Sequence, residues 1–238
     1  MKRILITGGS GGIGAACVKA FSNGYNKVAF TYNKSDEQAI LLKNEYNAIP
    51  IKADLSDPSC LKEFTQRTLD ELSGIDVLIN NVGAAHIGLF NDLTNGEWQH
   101  LINVNLTSAV LISRDLSKEM IRQHSGRIIN IGSVWGRCGA SCEVAYSATK
   151  AALRGFTMAL AKELGPSGIT VNCVEPGVIN TPMNRCFDEN AMKALCDETP
   201  LCRIGEPDEV ASLIKFLSSD DAAFITGQCI GIDGGFGL

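Results

Sequence analysis

The chain has 238 residues, 45% of them hydrophobic and 20% charged, with a formal net charge of -5. That length supports one well-buried core rather than two. The acidic balance, with no basic tract to offset it, argues against nucleic acid or an anionic membrane surface as a partner, and no apolar run reaches the ~18 residues that a membrane span needs.

The opening MKRILITGG has too short an apolar run for a signal peptide and reads as a buried first strand. Similar runs recur at 4–7, 28–32, 48–54, 76–83, 126–133, 169–177 and 229–235, with helix-like stretches between them. Strands that are continuously apolar, rather than alternating, are expected where helices cover both faces of a sheet. The repeated βα order therefore predicts an α/β fold, a doubly wound parallel sheet of about seven strands. No linker or repeat divides residues 1–238, which read as one domain.

After the first strand comes TGGSGGIG at 7–14, followed by the helical AACVKAFS. Glycine permits positive φ and close approach of the backbone to a ligand. The helix N-terminus that follows offers unpaired N–H groups to a pyrophosphate. Gly8, Ser10, Gly12, Ile13 and Gly14 are thus candidate dinucleotide-binding residues. Their spacing differs from the plain G-x-G-x-x-G form, but a strand before and a helix after strengthen the signal and make the sheet Rossmann-type.

In the NAD version of this fold an acidic residue about 20 positions on holds the ribose 2′-hydroxyl. Here the second strand ends Thr31-Tyr32-Asn33-Lys34-Ser35, with no carboxylate at its tip. Asn33, Lys34 and Ser35 suit a 2′-phosphate, so NADP(H) is favoured over NAD(H), while Asp36 is the residue that would reach back under the NAD reading. Asp54, with Leu55, ends the third strand in ADLSD and reads both as a helix N-cap and as a contact to adenine. NNVG at 80–83 brings Asn81 and Gly83 to the end of the fourth strand, where a dinucleotide would cross.

Tyr146 and Lys150 stand four apart in AYSATK and share a face of a predicted helix. An ammonium beside a phenol favours the phenolate and lowers the phenol pKa from ~10. The pair is common on solvated helices, and its weight comes from Ser133 and the glycine turn ahead of it. The segment 181–203 breaks the βα rhythm between Pro182 and Pro200 and reads as a flap over the strand ends. Nine cysteines are scattered with no Cys-x-x-Cys and only three histidines, which predicts reduced thiols, a cytoplasmic protein and no metal site. Cys138 and Cys142 flank the presumed active site.

On TGGSGGIG, Asp54, NNVG, Asn105 in NVNLTS, Ser133 in NIGSVWG, Tyr146 with Lys150, and Pro176-Gly177 followed by Thr181, the chain resembles the short-chain dehydrogenase/reductase family over nearly its whole length. The resemblance implies a catalytic tetrad of Asn105, Ser133, Tyr146 and Lys150. Tyr146 would exchange a proton with the substrate oxygen, Ser133 would hydrogen-bond that oxygen, Lys150 would tune Tyr146 and hold the nicotinamide ribose, and Asn105 would anchor a relay water. Pro176, Gly177, Val178 and Thr181 would flank the nicotinamide. A homotetramer built through the helices of Asn105 and Tyr146 is implied as well.

Within the family the pattern is nearest the 3-oxoacyl-acyl-carrier-protein reductases, through SGRIINIGSVWG, ITVNCVEPGVINTPM, RIGEPDEVASLIKFLSS and ITGQCIGIDGG. The implied reaction reduces a 3-oxoacyl thioester with NADPH. Three departures stand against it: His124 and Ser167 replace the arginines that dock acyl carrier protein, Gly11 replaces an Arg that contacts the 2′-phosphate, and Glu175 replaces a small apolar residue. Arg122 and Arg127 are the candidates to compensate at the docking surface. The alternatives are a reductase of another small ketone, sugar, polyol or cyclic alcohol, and a non-catalytic nucleotide-binding regulator.

Overall fold

Apolar runs free of polar alternation become strands covered on both faces. In the computed structural model, which describes residues 1–22, 24–186 and 188–238 (185 and 186 by backbone alone), these are β1 (Arg3–Ile6), β2 (Lys27–Tyr32), β3 (Ile49–Lys52), β4 (Val77–Asn80), β5 (Gly126–Ile131), β6 (Ile169–Pro176) and β7 (Cys229–Ile232). They form one parallel sheet in the order β3-β2-β1-β4-β5-β6-β7. The predicted fold class holds.

Side chains leave alternate faces of each strand, so β1 feeds both cores. Ile4 and Ile6 join Val18, Phe30, Ile79 and Ile214 on one side. Leu5 joins Leu78, Ile112, Leu116, Ile128 and Leu164 on the other. The first layer is closed by α1 (Gly12–Phe21), α2 (Asp36–Tyr46) and a later helix, Pro207–Leu217. The second is closed by α3 (Leu61–Leu72) and by α5 (Ser108–Gln123) and α7 (Val144–Leu164), with α4 (Asn95–Ile102) and the one-turn α6 (Trp135–Cys138) nearer the strand ends. Between α4 and α5 the helix widens into a π turn at Asn103–Thr107.

The strand order reverses between β1 and β4, and open α/β sheets take ligands in the crevice at such a point. Of the described part of 181–203, Thr181, Pro182, Met183, Asn184 and Leu195 line the cavity at that crevice; it forms a 3₁₀ turn (Pro182–Cys186) and α8 (Glu189–Glu198), the latter capped by Asp188, whose carboxylate accepts from the Ala191 N–H at 2.8 Å. The Pro207–Leu217 helix is α9 in this order. Among the described residues no helix is long and apolar enough to cross a membrane.

One local expectation is corrected. Asp54 does not cap a helix; its carboxylate closes a turn by accepting from the Ser56 N–H (3.0 Å) and Ser56 hydroxyl (2.7 Å). The cap falls three residues later, where Asp57 accepts from the Ser59 N–H at 2.9 Å. Pro58 sets the short helix that starts there, and a Pro favours the first helical position.

Candidate active site

The glycine turn is held open by its own packing. Gly8 has φ +66° and Gly12 φ +49°, the left-handed region that costs other residues 1 kcal/mol or more. A Cβ on Gly14 would sit 2.1 Å from the Gly8 carbonyl oxygen, so the first helical turn can lie against the strand end only as glycine. Thr7 links this turn to β4: its hydroxyl accepts from the N–H groups of Asn81 and Val82 at 2.9 and 3.0 Å. The Asn81 amide returns two bonds, to the carbonyls of Thr7 and Gly8. Thr7 was not singled out from sequence, since a Thr at a strand end carries no distinctive signal.

A cavity of about 320 Å³ opens beside the turn. Gly8, Gly12 and Ile13 form one wall, and Asn81 and Gly83 the next. Ser133, Tyr146 and Lys150 form the floor, facing Pro176, Gly177, Val178 and Thr181. Trp135 closes one end, set edge-on to Phe236 with ring centroids 5.2 Å apart. Other predicted contacts lie outside it. Gly14 is buried beneath the turn and Ser10 lies beside it. Asn33, Lys34, Ser35 and Asp54 are exposed at the ends of β2 and β3. The Leu55 side chain packs in the core, so only its backbone is available to a ligand.

Asn33 lies near Asp54 at the ends of β2 and β3, and Ser56 together with Asn33 holds its carboxyl below the ordinary range. Asp36 is held by Lys52 at 2.8 Å, and the same ammonium lies over the Tyr32 ring. The carboxylate that the NAD reading needed is therefore engaged elsewhere. Gly11 is extended, with φ -151°, and a Cβ built on it meets nothing within 4 Å. These features fit a dinucleotide: glycines that a side chain would crowd, a helix N-terminus aimed at the crevice, and polar tips at β2 and β3.

On the cavity floor the Ser133 hydroxyl faces the Tyr146 phenol, which it draws toward ionisation, and accepts from the Trp135 N–H at 3.2 Å. Lys150 is 3% exposed and donates to the Ile131 carbonyl at 2.8 Å; its ammonium lies 5.6 Å from the Tyr146 ring centroid. Asn105, in the π turn, is 1% exposed. Its amide accepts from the Ala84 N–H at 2.8 Å and donates to the Ala84 carbonyl (2.9 Å) and to Thr149 Oγ1 (3.1 Å). Gly83 keeps a gap between them: a Cβ there would lie 3.4 Å from Lys150 Nζ and 3.5 Å from Asn105 Oδ1.

The expected pKa direction is reversed. Burial pushes Tyr146 up to about 12, the Ser133 hydrogen bond pulls against this, and the Glu143 carboxylate adds to the rise. Burial also draws Lys150 down to about 8. Loss of water is the largest cause in both cases. Glu143 itself was missed. It lines the cavity half-buried, with its carboxyl held above the ordinary value by burial. Its place one helical turn before Tyr146 was the available signal.

Glu175 is also resolved. It is 1% exposed and turned away from the cavity, ion-paired with Arg154 of α7. Cys138 and Cys142 do not line the cavity.

A doubly wound sheet with a glycine cradle and a Ser–Tyr–Lys floor defines an oxidoreductase class, and the chain belongs to the short-chain dehydrogenase/reductase family. A profile described as enoyl-(acyl carrier protein) reductase matches residues 8–237. The chain is 41% identical over 237 residues to a 3-oxoacyl-[acyl-carrier-protein] reductase of Synechocystis, covering 97% of this chain and 95% of that one. It is 40% identical to an acetoacetyl-CoA reductase of Shinella zoogloeoides, covering 99% and 98%. Among solved structures, a short-chain dehydrogenase of Burkholderia cenocepacia in complex with NADP superposes with TM-score 0.92 at 35% identity, over 100% of this chain and 98% of that one.

Proposed function

We propose that the protein is an NADP(H)-dependent reductase that converts a 3-oxoacyl thioester into the 3-hydroxyacyl thioester. The observation that carries this reading is the convergence of Ser133, Tyr146 and a buried Lys150, which donates to the Ile131 carbonyl, on the floor of the cavity that the glycine turn enters. The names of the relatives support a 3-oxoacyl or acetoacetyl substrate. The occupied Asp36 and the polar tip Asn33-Lys34-Ser35 support NADP(H).

In this mechanism the nicotinamide, when bound, supplies the hydride. Ser133 and Tyr146 both hydrogen-bond the substrate carbonyl oxygen. Tyr146 gives up its phenol proton as negative charge develops there, and Ser133 stabilises that charge. A phenol pushed up to about 12 is held in the protonated form that reduction requires. Lys150 places a positive charge beneath the phenol that loses its proton. Asn105 holds Ala84 and the adjoining gap at Gly83, the place for a relay water.

Two features bear on the carrier. Arg122 is ion-paired with Glu119, and Arg127 lies 3.7 Å from Asp220. Arg127 is nearly buried, which leaves fewer cations for an acidic docking protein and favours a thioester presented by coenzyme A. Exposed Ile121, Val144 and Met158 on α5 and α7 support a homotetramer through those helices. A second reading follows from Glu143: a carboxylate in the pocket suits a hydroxylated ketone or sugar. NADPH consumption with acetoacetyl-CoA, carrier-linked 3-oxoacyl groups and hydroxylated ketones is the test. Activity with both thioesters supports the proposal, and activity confined to the ketones overturns it.

A further inference from the structure

The C-terminal half of β6 carries groups that the proposed reaction leaves idle. Strand register sets Cys173 directly beside Cys229 on β7. Glu175, two residues along β6, points to the same face. The two sulfurs and a Glu175 carboxylate oxygen lie within 4.8 Å of one another. Cys173 and Glu175 are almost fully buried, while Cys229 is half-buried and leaves a way in. Gly132 backs the cluster, since a Cβ on it would stand 2.8 Å from Cys173 Sγ and 3.2 Å from Glu175 Cγ. The cluster therefore sits behind the strand end that carries Ser133.

We propose that Cys173, Cys229 and Glu175 bind one soft divalent cation of the zinc type. Two thiolates and a carboxylate are a donor set that zinc takes in tetrahedral sites, with bonds of about 2.0–2.3 Å and a fourth position left for water. Small closing movements bring groups within 4.8 Å to a common ion. Charge balance permits it. Before binding, the carboxylate, the Arg154 guanidinium and two neutral thiols sum to zero, with the Lys150 ammonium nearby. On binding, two sulfur–metal bonds form, both thiol protons pass to solvent, and the divalent ion offsets the two new thiolates. The net charge remains zero, which avoids the cost of an uncompensated buried charge. Arg154 keeps one Glu175 oxygen as the metal takes the other. The inference does not rest on the identity of the substrate, although Cys173 lies within electrostatic reach of Lys150.

The test is zinc retention by the reduced full-length protein, measured against a chromophoric chelator, for wild type and for Cys229→Ser, Glu175→Gln and Cys142→Ser. Wild type and Cys142→Ser are expected to hold about one ion per chain, with affinity at least tenfold weaker in Cys229→Ser and Glu175→Gln. Zinc should raise the melting temperature of wild type and not that of Cys229→Ser, whose cooperative melt without metal shows that it folds. Equal retention by wild type and Cys229→Ser overturns the proposal. So does a wild-type chain that retains no zinc, or one whose Cys173 and Cys229 are found joined as a disulfide in place of metal.

Discussion

Lys150 is tied to Ile131: its ammonium donates a 2.8 Å hydrogen bond to that carbonyl, at the end of β5 and two residues before Ser133. One bond thus fixes the height of the ammonium beneath the phenol and anchors α7 to the strand that carries its partner. The same burial draws Lys150 down to about 8. In the reduction direction kcat/KM should fall as pH rises through about 8, because the ammonium is lost while Tyr146 stays protonated. Lys150→Arg should move that limb upward by more than one pH unit, whatever rate remains. A limb left in place would tie it to another group.

The buried ammonium also costs stability. A folded value near 8 against the ordinary 10.5 corresponds to roughly 3 kcal/mol below pH 8. Between about 8 and 10.5 the unfolded chain holds the proton and the folded chain does not, so this cost fades as pH rises. Lys150→Met should therefore melt above wild type at pH 7, with the gap narrowing by pH 10. Melts in a pH series decide it, and a less stable variant at pH 7 would refute the accounting.

Tyr146→Phe should lower kcat/KM for carbonyl reduction by about 10²–10⁴-fold with NADPH affinity retained, as measured by cofactor fluorescence. Ser133→Ala should cost about 10²-fold or more, mainly in kcat. Near wild-type turnover by either variant would remove it from the mechanism.

At Gly11 the backbone is extended and the space beyond it open. Gly11→Arg should therefore fold normally and raise the preference for NADPH over NADH several-fold, read as a ratio of kcat/KM values. Gly14→Ala should abolish cofactor binding, because its methyl group meets the Gly8 carbonyl at 2.1 Å.

Glu143 separates the two substrate readings. Glu143→Gln removes a negative charge from the pocket and from beside Tyr146. If the substrate is a thioester, kcat/KM for acetoacetyl-CoA should hold or rise a few-fold. A drop of tenfold or more with that substrate would favour the hydroxylated ketones.

The sheet was legible because buried parallel strands announce themselves as unbroken apolar runs, and the Tyr146–Lys150 pairing because helical spacing is local. What stayed hidden depends on register and solvent. Cys173 and Cys229 are 56 positions apart and meet only through the β6–β7 pairing. The partner of Glu175, Arg154, comes from a different element altogether. Four-residue spacing brought the ammonium near the phenol, but it carried no information on dehydration, which decided the direction of both pKa changes. Asp54 reads as a cap in ADLSD, but Pro58 sets the helix start and gives the cap to Asp57.

The π turn at Asn103–Thr107 makes the helix pair around it intolerant of length changes rather than of chemistry. Deleting one residue there would restore regular winding with α4 and α5 nearly in phase, but the wide turn that presents Asn105 would be lost. Asn105 would turn away from Ala84 and Thr149. Substitutions along this stretch remove one contact at a time, whereas a single-codon deletion would remove the Asn105 contacts with Ala84 and Thr149 together.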